Sequence, residues 1–148
     1  MKIVLFVCTG NICRSPMAEY YLKHLIENRK IDFLSTFSAG THGCIGIPAA
    51  ENASLIMQEQ GIDMSAHEGN QINEYMVSQA DWILVMEHYH KLLIGPTNPR
   101  VMLLTEFAQK DPGTDIPDPY GKEVADYRQA CSRICECVQG FVDTITDS

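Results

Sequence analysis

The run Ile3-Val4-Leu5-Phe6-Val7-Cys8, followed at once by Thr9-Gly10-Asn11-Ile12-Cys13-Arg14-Ser15-Pro16, decides the fold. An unbroken apolar run rich in β-branched and aromatic residues reads as a strand buried on both faces. Thr9-Gly10-Asn11 is turn-forming. Ser15-Pro16 opens a helix, with Ser near the cap and Pro in the first turn. Strand, loop and helix therefore follow in order, with Cys8 at the carboxyl end of the strand. Open α/β sheets bind their ligands at that end.

Downstream of this unit, Met17, Tyr20, Tyr21 and Leu25 keep near-helical spacing over residues 16–27, which suits packing more than substrate contact. A second strand is expected over 33–39, ended by Gly40, and a helix over 49–60 closed by Gly61. A short helix is expected over 73–78, with strands over 82–86 and 101–104. Three prolines, Pro112, Pro117 and Pro119, make residues 109–121 a loop, and a last helix fills 123–144. No repeat, low-complexity tract or linker interrupts the pattern. The reading is one domain over 1–148: a parallel four-stranded sheet with helices on both faces, Rossmann-like in architecture.

Composition narrows the function. A net charge of −8 disfavours nucleic acid as a partner. A small anion would need a strongly positive local pocket. No segment is long enough to cross a bilayer, and the opening apolar run lacks the length and cleavage site of a signal peptide. The expectation is a cytoplasmic protein without membrane insertion. Six cysteines (Cys8, Cys13, Cys44, Cys131, Cys135 and Cys137) give no Cys-x-x-Cys pair of a zinc ribbon and are expected to be reduced thiols. His88-Tyr89-His90 and Cys135-Glu136-Cys137 are poor metal pairs, since side chains two apart on a helix diverge. His24 is expected on the surface, and His42 and His67 in exposed loops. No metal or cofactor is called for.

A loop joining a buried strand to a helix N-terminus turns its backbone N–H groups inward and makes an anion nest. Gly10 is expected to relieve crowding in this turn and Asn11 to take left-handed angles. Arg14 can give a phosphate two parallel hydrogen bonds. The same field favours a thiolate at Cys8, below the usual value of ~8.5, with Ser15 as a hydrogen-bond donor to it. Cys and Arg at this separation are common by chance, and their place between strand and helix is what gives them weight.

The stretch Val7-Cys8-Thr9-Gly10-Asn11-Ile12-Cys13-Arg14-Ser15-Pro16-Met17-Ala18-Glu19, with the distant Asp118-Pro119-Tyr120, resembles the low-molecular-weight protein tyrosine phosphatases. Ser38-Ala39-Gly40-Thr41, Gly61-Ile62 and residues 81–87 match further positions, so the resemblance covers essentially the whole chain. It implies hydrolysis of phosphotyrosine with Cys8 as nucleophile, Arg14 and the amides of Thr9, Gly10, Asn11, Ile12 and Cys13 as the phosphate cradle, and Asp118 as general acid and then base. Tyr120 would form one wall of the slot for the ring. The opposite wall, usually aromatic, falls at Cys44, and the spacing to Pro48 differs by about a residue. Asn52 and Glu68-Gly69 stand where relatives often carry arginines. These departures bear on affinity and ring selectivity, since a stacking partner contributes only ~1 kcal/mol. Glu87 is placed to hold the loop by hydrogen bonds, and Cys13 is placed to protect Cys8 as a reversible disulfide, or else simply to pack.

Ile12 bears on substrate choice, because a related branch acting on phosphoarginine carries a small polar residue there. The expected partners are phosphotyrosine proteins, with a bacterial tyrosine kinase of polysaccharide export as one instance, and inorganic phosphate as product. Two rivals stand beside this reading. A thiol-coupled arsenate reductase of the same fold needs a further redox cysteine pair near residues 81–95, where there is none; the C-terminal trio Cys131, Cys135 and Cys137 is the substitute, since Cys131 and Cys135 share a helix face. A non-catalytic phosphate-binding or redox module would need neither Cys8 nor Asp118.

Overall fold

The computed structural model describes residues 1–147. Four strands, β1 (Lys2–Cys8), β2 (Leu34–Gly40), β3 (Trp82–Val85) and β4 (Val101–Leu103), form one parallel sheet in the order β2-β1-β3-β4. β1 lies at its centre, and every residue from Val4 to Cys8 is buried. Its register sets Cys8 opposite Gly40 on one side and Val7 opposite Val85 on the other. Alternation then sorts the side chains: Val4, Phe6 and Cys8 point into one core layer, Leu5 and Val7 into the other.

The larger layer holds α1 (Arg14–Asn28), α2 (Glu51–Glu59) and α5 (Val124–Thr146). The smaller is covered by α3 (Glu74–Gln79) and α4 (His88–Ile94) through Met76, Val77 and Ile94. β1 is joined to β2 through α1 and to β3 on its other flank, so the strand order reverses at β1. That switch point opens a crevice at the carboxyl end of the sheet, just beyond Cys8.

The observed elements keep the expected order with shifted ends. α1 starts at Arg14, two residues before Pro16, which therefore lies inside the first turn. α2 starts at Glu51 and ends at Glu59, with Gly61 just beyond it at φ +75°. Asn73 caps α3 by accepting from the Met76 amide. β4 is followed by a 3₁₀ turn, Leu104–Phe107. Periodicity gives no element over 88–94, yet α4 is there. Its start is set by a capping box between Glu87 and His90 in place of the usual Ser or Thr signal. Among the described residues, no helix is long and apolar enough to cross a membrane.

Candidate active site

Five successive carbonyls of the loop after β1 point outward and are bonded from a single flank. Cys8 O accepts from Thr41 N, Thr9 O from His42 N and Gly10 O from Cys44 N, each at 2.9 Å. Asn11 O meets His67 Nε2 at 2.7 Å, and Ile12 O accepts from Ala50 N at 2.8 Å. A trans peptide holds N–H opposite C=O, so the amides that follow these carbonyls face the interior of the loop. Asn11 adopts φ +60°, the left-handed turn that bends the chain around. The result is an anion nest at the N-terminus of α1.

A buried chain of hydrogen bonds supports the loop from behind. Lys23 pairs with Glu19 at 2.6 Å, and Ser38 donates to Glu19 at 2.5 Å. The Asn11 amide donates to Ser38 at 2.9 Å and to Ser15 at 2.8 Å, while its carbonyl oxygen accepts from Asn70 N at 2.8 Å. Ser15 Oγ accepts from Asn11 and keeps its own proton, which it can donate to a thiolate at Cys8 Sγ, 2.9 Å away. Asn11 and Ser15 thus lie beneath the site, not on its surface.

Arg14 is fully buried. Nη1 donates to Glu87 Oε2 at 2.6 Å and to the Ile116 carbonyl at 2.7 Å. Nη2 lies 3.5 Å from Thr9 Oγ1 and 3.6 Å from Asp118 Oδ2. Nε is buried with no hydrogen-bond partner among the described residues. An unpartnered buried guanidinium donor is costly unless an anion takes it up.

These groups line a cavity of about 250 Å³. Cys8, Thr9, Gly10, Ile12, Cys13, Arg14, Cys44, Asp118 and Tyr120 all border it, so the two distant parts of the sequence pattern do converge. Asp118 is half-exposed, and its Oδ1 accepts from Tyr120 N at 3.0 Å, which stiffens the turn between Pro117 and Pro119. Ile116, wholly buried, ties that loop to the sheet by donating to Met86 O at 2.9 Å. Burial pushes the Cys13 thiol up to about 11, and its Sγ lies 3.5 Å from the Tyr127 hydroxyl.

Some expectations need correction. Gly10 does not relieve crowding: a Cβ there would meet only Cys44 Sγ at 3.5 Å and Ile12 Cγ1 at 3.7 Å, which is ordinary contact. The glycine pressed against the loop's own backbone is Gly40, whose Cβ would lie 2.4 Å from Thr9 O. His42 is exposed and borders the cavity, but His67 is buried, because its ring is needed for the Asn11 carbonyl. His90 is also buried. Its Nδ1 accepts from Glu87 N at 3.1 Å, so the Nε2 proton faces Thr9 Oγ1 at 2.9 Å. Burial, reinforced by the Arg14 charge, holds His90 down at about 4, and the ring is neutral. Sequence reasoning found neither His67 nor His90 as a support of the loop, and Ile116 carried no signal beyond being an apolar residue in a polar loop. Glu87, expected to hold the loop by hydrogen bonds, does so through Arg14, which the sequence did not single out as its partner. Cys131 and Cys135 border a different groove, lined by residues of α1, α2 and α5 and their flanks.

Comparison with known proteins agrees with this geometry. The sequence model of the family described as low molecular weight phosphotyrosine protein phosphatase matches residues 3–148. The chain is 42% identical over 144 residues to the low molecular weight protein-tyrosine-phosphatase Ptp of Acinetobacter johnsonii, covering 97% of this chain and 98% of that one. It is 35% identical over 131 residues to the protein-arginine-phosphatase of Geobacillus stearothermophilus, covering 86% of this chain and 84% of that one. The crystal structure of a low molecular weight protein tyrosine phosphatase from T. tengcongensis superposes with a TM-score of 0.88 at 29% identity, covering 97% of this chain and 99% of that one. With loop, crevice and whole-chain likeness in agreement, the chain belongs to the low molecular weight phosphotyrosine protein phosphatases.

Proposed function

We propose that this enzyme hydrolyses phosphotyrosine in proteins, with Cys8 as nucleophile, Arg14 and the loop amides as phosphate cradle, and Asp118 as general acid and base. The observation that carries the reading is Arg14: a buried guanidinium whose Nε has no partner among the described residues, bordering the same cavity as Cys8. The Cys8 thiolate attacks phosphorus, the bond to the tyrosine oxygen breaks, and Asp118 protonates that oxygen. Water, deprotonated by Asp118, then displaces Cys8 and releases inorganic phosphate. Arg14 and the inward amides hold the three equatorial oxygens, where most of the transition-state charge develops. Ser15 steadies the thiolate as attacking and leaving group.

Ile12, Cys44 and Tyr120 give the cavity an apolar wall that suits an aromatic ring. A second reading, phosphoarginine hydrolysis, draws on the likeness to the Geobacillus protein-arginine-phosphatase, and the apolar Ile12 speaks against it. An arsenate reductase has less support, because Cys131 and Cys135 lie in a groove apart from Cys8. The partners under this reading are phosphotyrosine-bearing proteins, a tyrosine kinase among them, in the cytoplasm. Phosphate release from a phosphotyrosine peptide is the test, with phosphoarginine and arsenate run alongside. Turnover should vanish in Cys8→Ser, and Asp118→Ala should lower kcat by ~10²–10⁴-fold. Turnover of phosphoarginine alone would keep the mechanism and reverse the substrate; turnover that survives Cys8→Ser would overturn the reading.

A further inference from the structure

We propose that Cys131 and Cys135 of α5, with Met57 of α2, form a second site that binds one soft monovalent metal ion, Cu(I), between the two helices. Cys131 Sγ lies 3.8 Å from Cys135 Sγ and 3.7 Å from Met57 Sδ. Two sulfurs sharing one metal through bonds of about 2.3 Å sit roughly 3.8–4.0 Å apart, from tetrahedral to trigonal geometry. Cys131 Sγ is therefore already at ligand spacing from each of the other two sulfurs.

The donor set selects the metal. Two thiols and a thioether are soft ligands that favour Cu(I) over harder divalent ions. A structural zinc site would want four donors; no other thiolate or imidazole lines the groove, and its carboxylates, Glu59 and Glu136, are paired with Arg128 and Arg133. Cys137, on the same helix, is wholly buried and is not part of that lining. The site is also reachable. Met57 and Cys131 are buried, but Cys135 is only partly so and borders an open groove with Tyr21, Gln60 and Arg128.

A polar neighbour from the end of α2 also reaches Cys131. Gln60 Nε2 donates to its Sγ at 3.2 Å. Binding replaces two S–H bonds by two S–Cu bonds and releases two protons to solvent, with no change of oxidation state, so affinity rises with pH. In an i,i+4 pair the metal bridges the sulfurs along one face of α5.

The test is titration with Cu(I), supplied anaerobically as its acetonitrile complex against a chromophoric Cu(I) chelator. The Cys8→Ser/Cys13→Ser protein is used so that the phosphatase cysteines do not compete. One equivalent is expected, with X-ray absorption showing a shell of sulfur at about 2.3 Å. Cys135→Ser should weaken binding at least ~100-fold and Met57→Leu by about ten-fold, since each removes a ligand. In the unmutated chain, one equivalent of Cu(I) added after blocking the active site with inorganic phosphate should protect Cys135 from alkylation, a readout that needs no core variant. Failure to retain one Cu(I), retention unaffected by Cys135→Ser, or Zn(II) bound as tightly as Cu(I) would each overturn the assignment.

Discussion

Single residues in this loop act by being held, and His90 shows the cost of holding one. The ring sits wholly buried between the Glu87 amide and the Thr9 hydroxyl, and it can serve both only as the neutral, Nε2-protonated form. Burial and the neighbouring Arg14 hold its pKa at about 4 against an ordinary 6.5. Between those values the unfolded chain binds a proton that the folded chain refuses, so stability is full above the upper value and falls as pH drops toward the lower one. Urea melts should show wild type losing on the order of 2 kcal/mol more than His90→Gln between about pH 7 and pH 5. Equal losses in the two proteins would show that His90 is not the titrating group. Asn11 works in the opposite sense. Its left-handed backbone is a strained choice, offset by three side-chain hydrogen bonds to Ser15, Ser38 and Asn70. The sequence showed that Asn11 tolerates the turn. It could not show that the amide also holds Ser15 in place beside Cys8.

At the scale of elements, the strand and the flanking segment must fit each other closely, and Gly40 is where they do. It ends β2 opposite Cys8, and a Cβ there would lie 2.4 Å from Thr9 O and 3.0 Å from both Asn11 N and Gly43 Cα. All three are backbone atoms, so no side chain can swing aside. Gly40→Ala should cost about 2–3 kcal/mol by overpacking and, by pushing Thr9 and Asn11, lower kcat by ten-fold or more. Gly10→Ala is the contrast: its methyl meets only ordinary contacts at the cavity wall, so stability should stay within about 0.5 kcal/mol while KM rises. Thermal melts with steady-state kinetics on both variants check the pair; a Gly40→Ala protein as stable and active as wild type would refute the close approach. Elements with a strong apolar period, such as β1 and α5, were legible from sequence to within a residue or two. α4 was not, because its start depends on a Glu87–His90 exchange that matches no common capping pattern, and six residues of α3 needed Asn73 to announce them.

For the whole molecule, topology was legible because strand and helix signals alternate, which leaves few ways to thread a parallel sheet. Cys8 and Asp118 were paired from the sequence by family resemblance alone. Their physical meeting depends on Ile116, whose backbone bonds both Met86 and Arg14, and an isoleucine before a proline gives no hint of that. Charge is the other global property. A chain with a net charge of −8 surrounds a site that must admit a phosphate dianion, and Arg14, the one buried Lys or Arg among the described residues, is already shared with Glu87 and Asp118. The field beyond the pocket therefore opposes acidic substrates, over a range set by salt: ~30 Å at 0.01 M and ~10 Å at 0.1 M. Peptides with Lys or Arg beside the phosphotyrosine should be turned over with a kcat/KM about 3–10 times that of peptides with Asp or Glu there, when measured at low ionic strength. The ratio should shrink below about two-fold near 0.5 M salt, because screening removes the long-range field but leaves the Arg14 contacts intact. A preference that persists unchanged at high salt would place its origin in a direct contact at the rim, since a diffuse field cannot survive that screening.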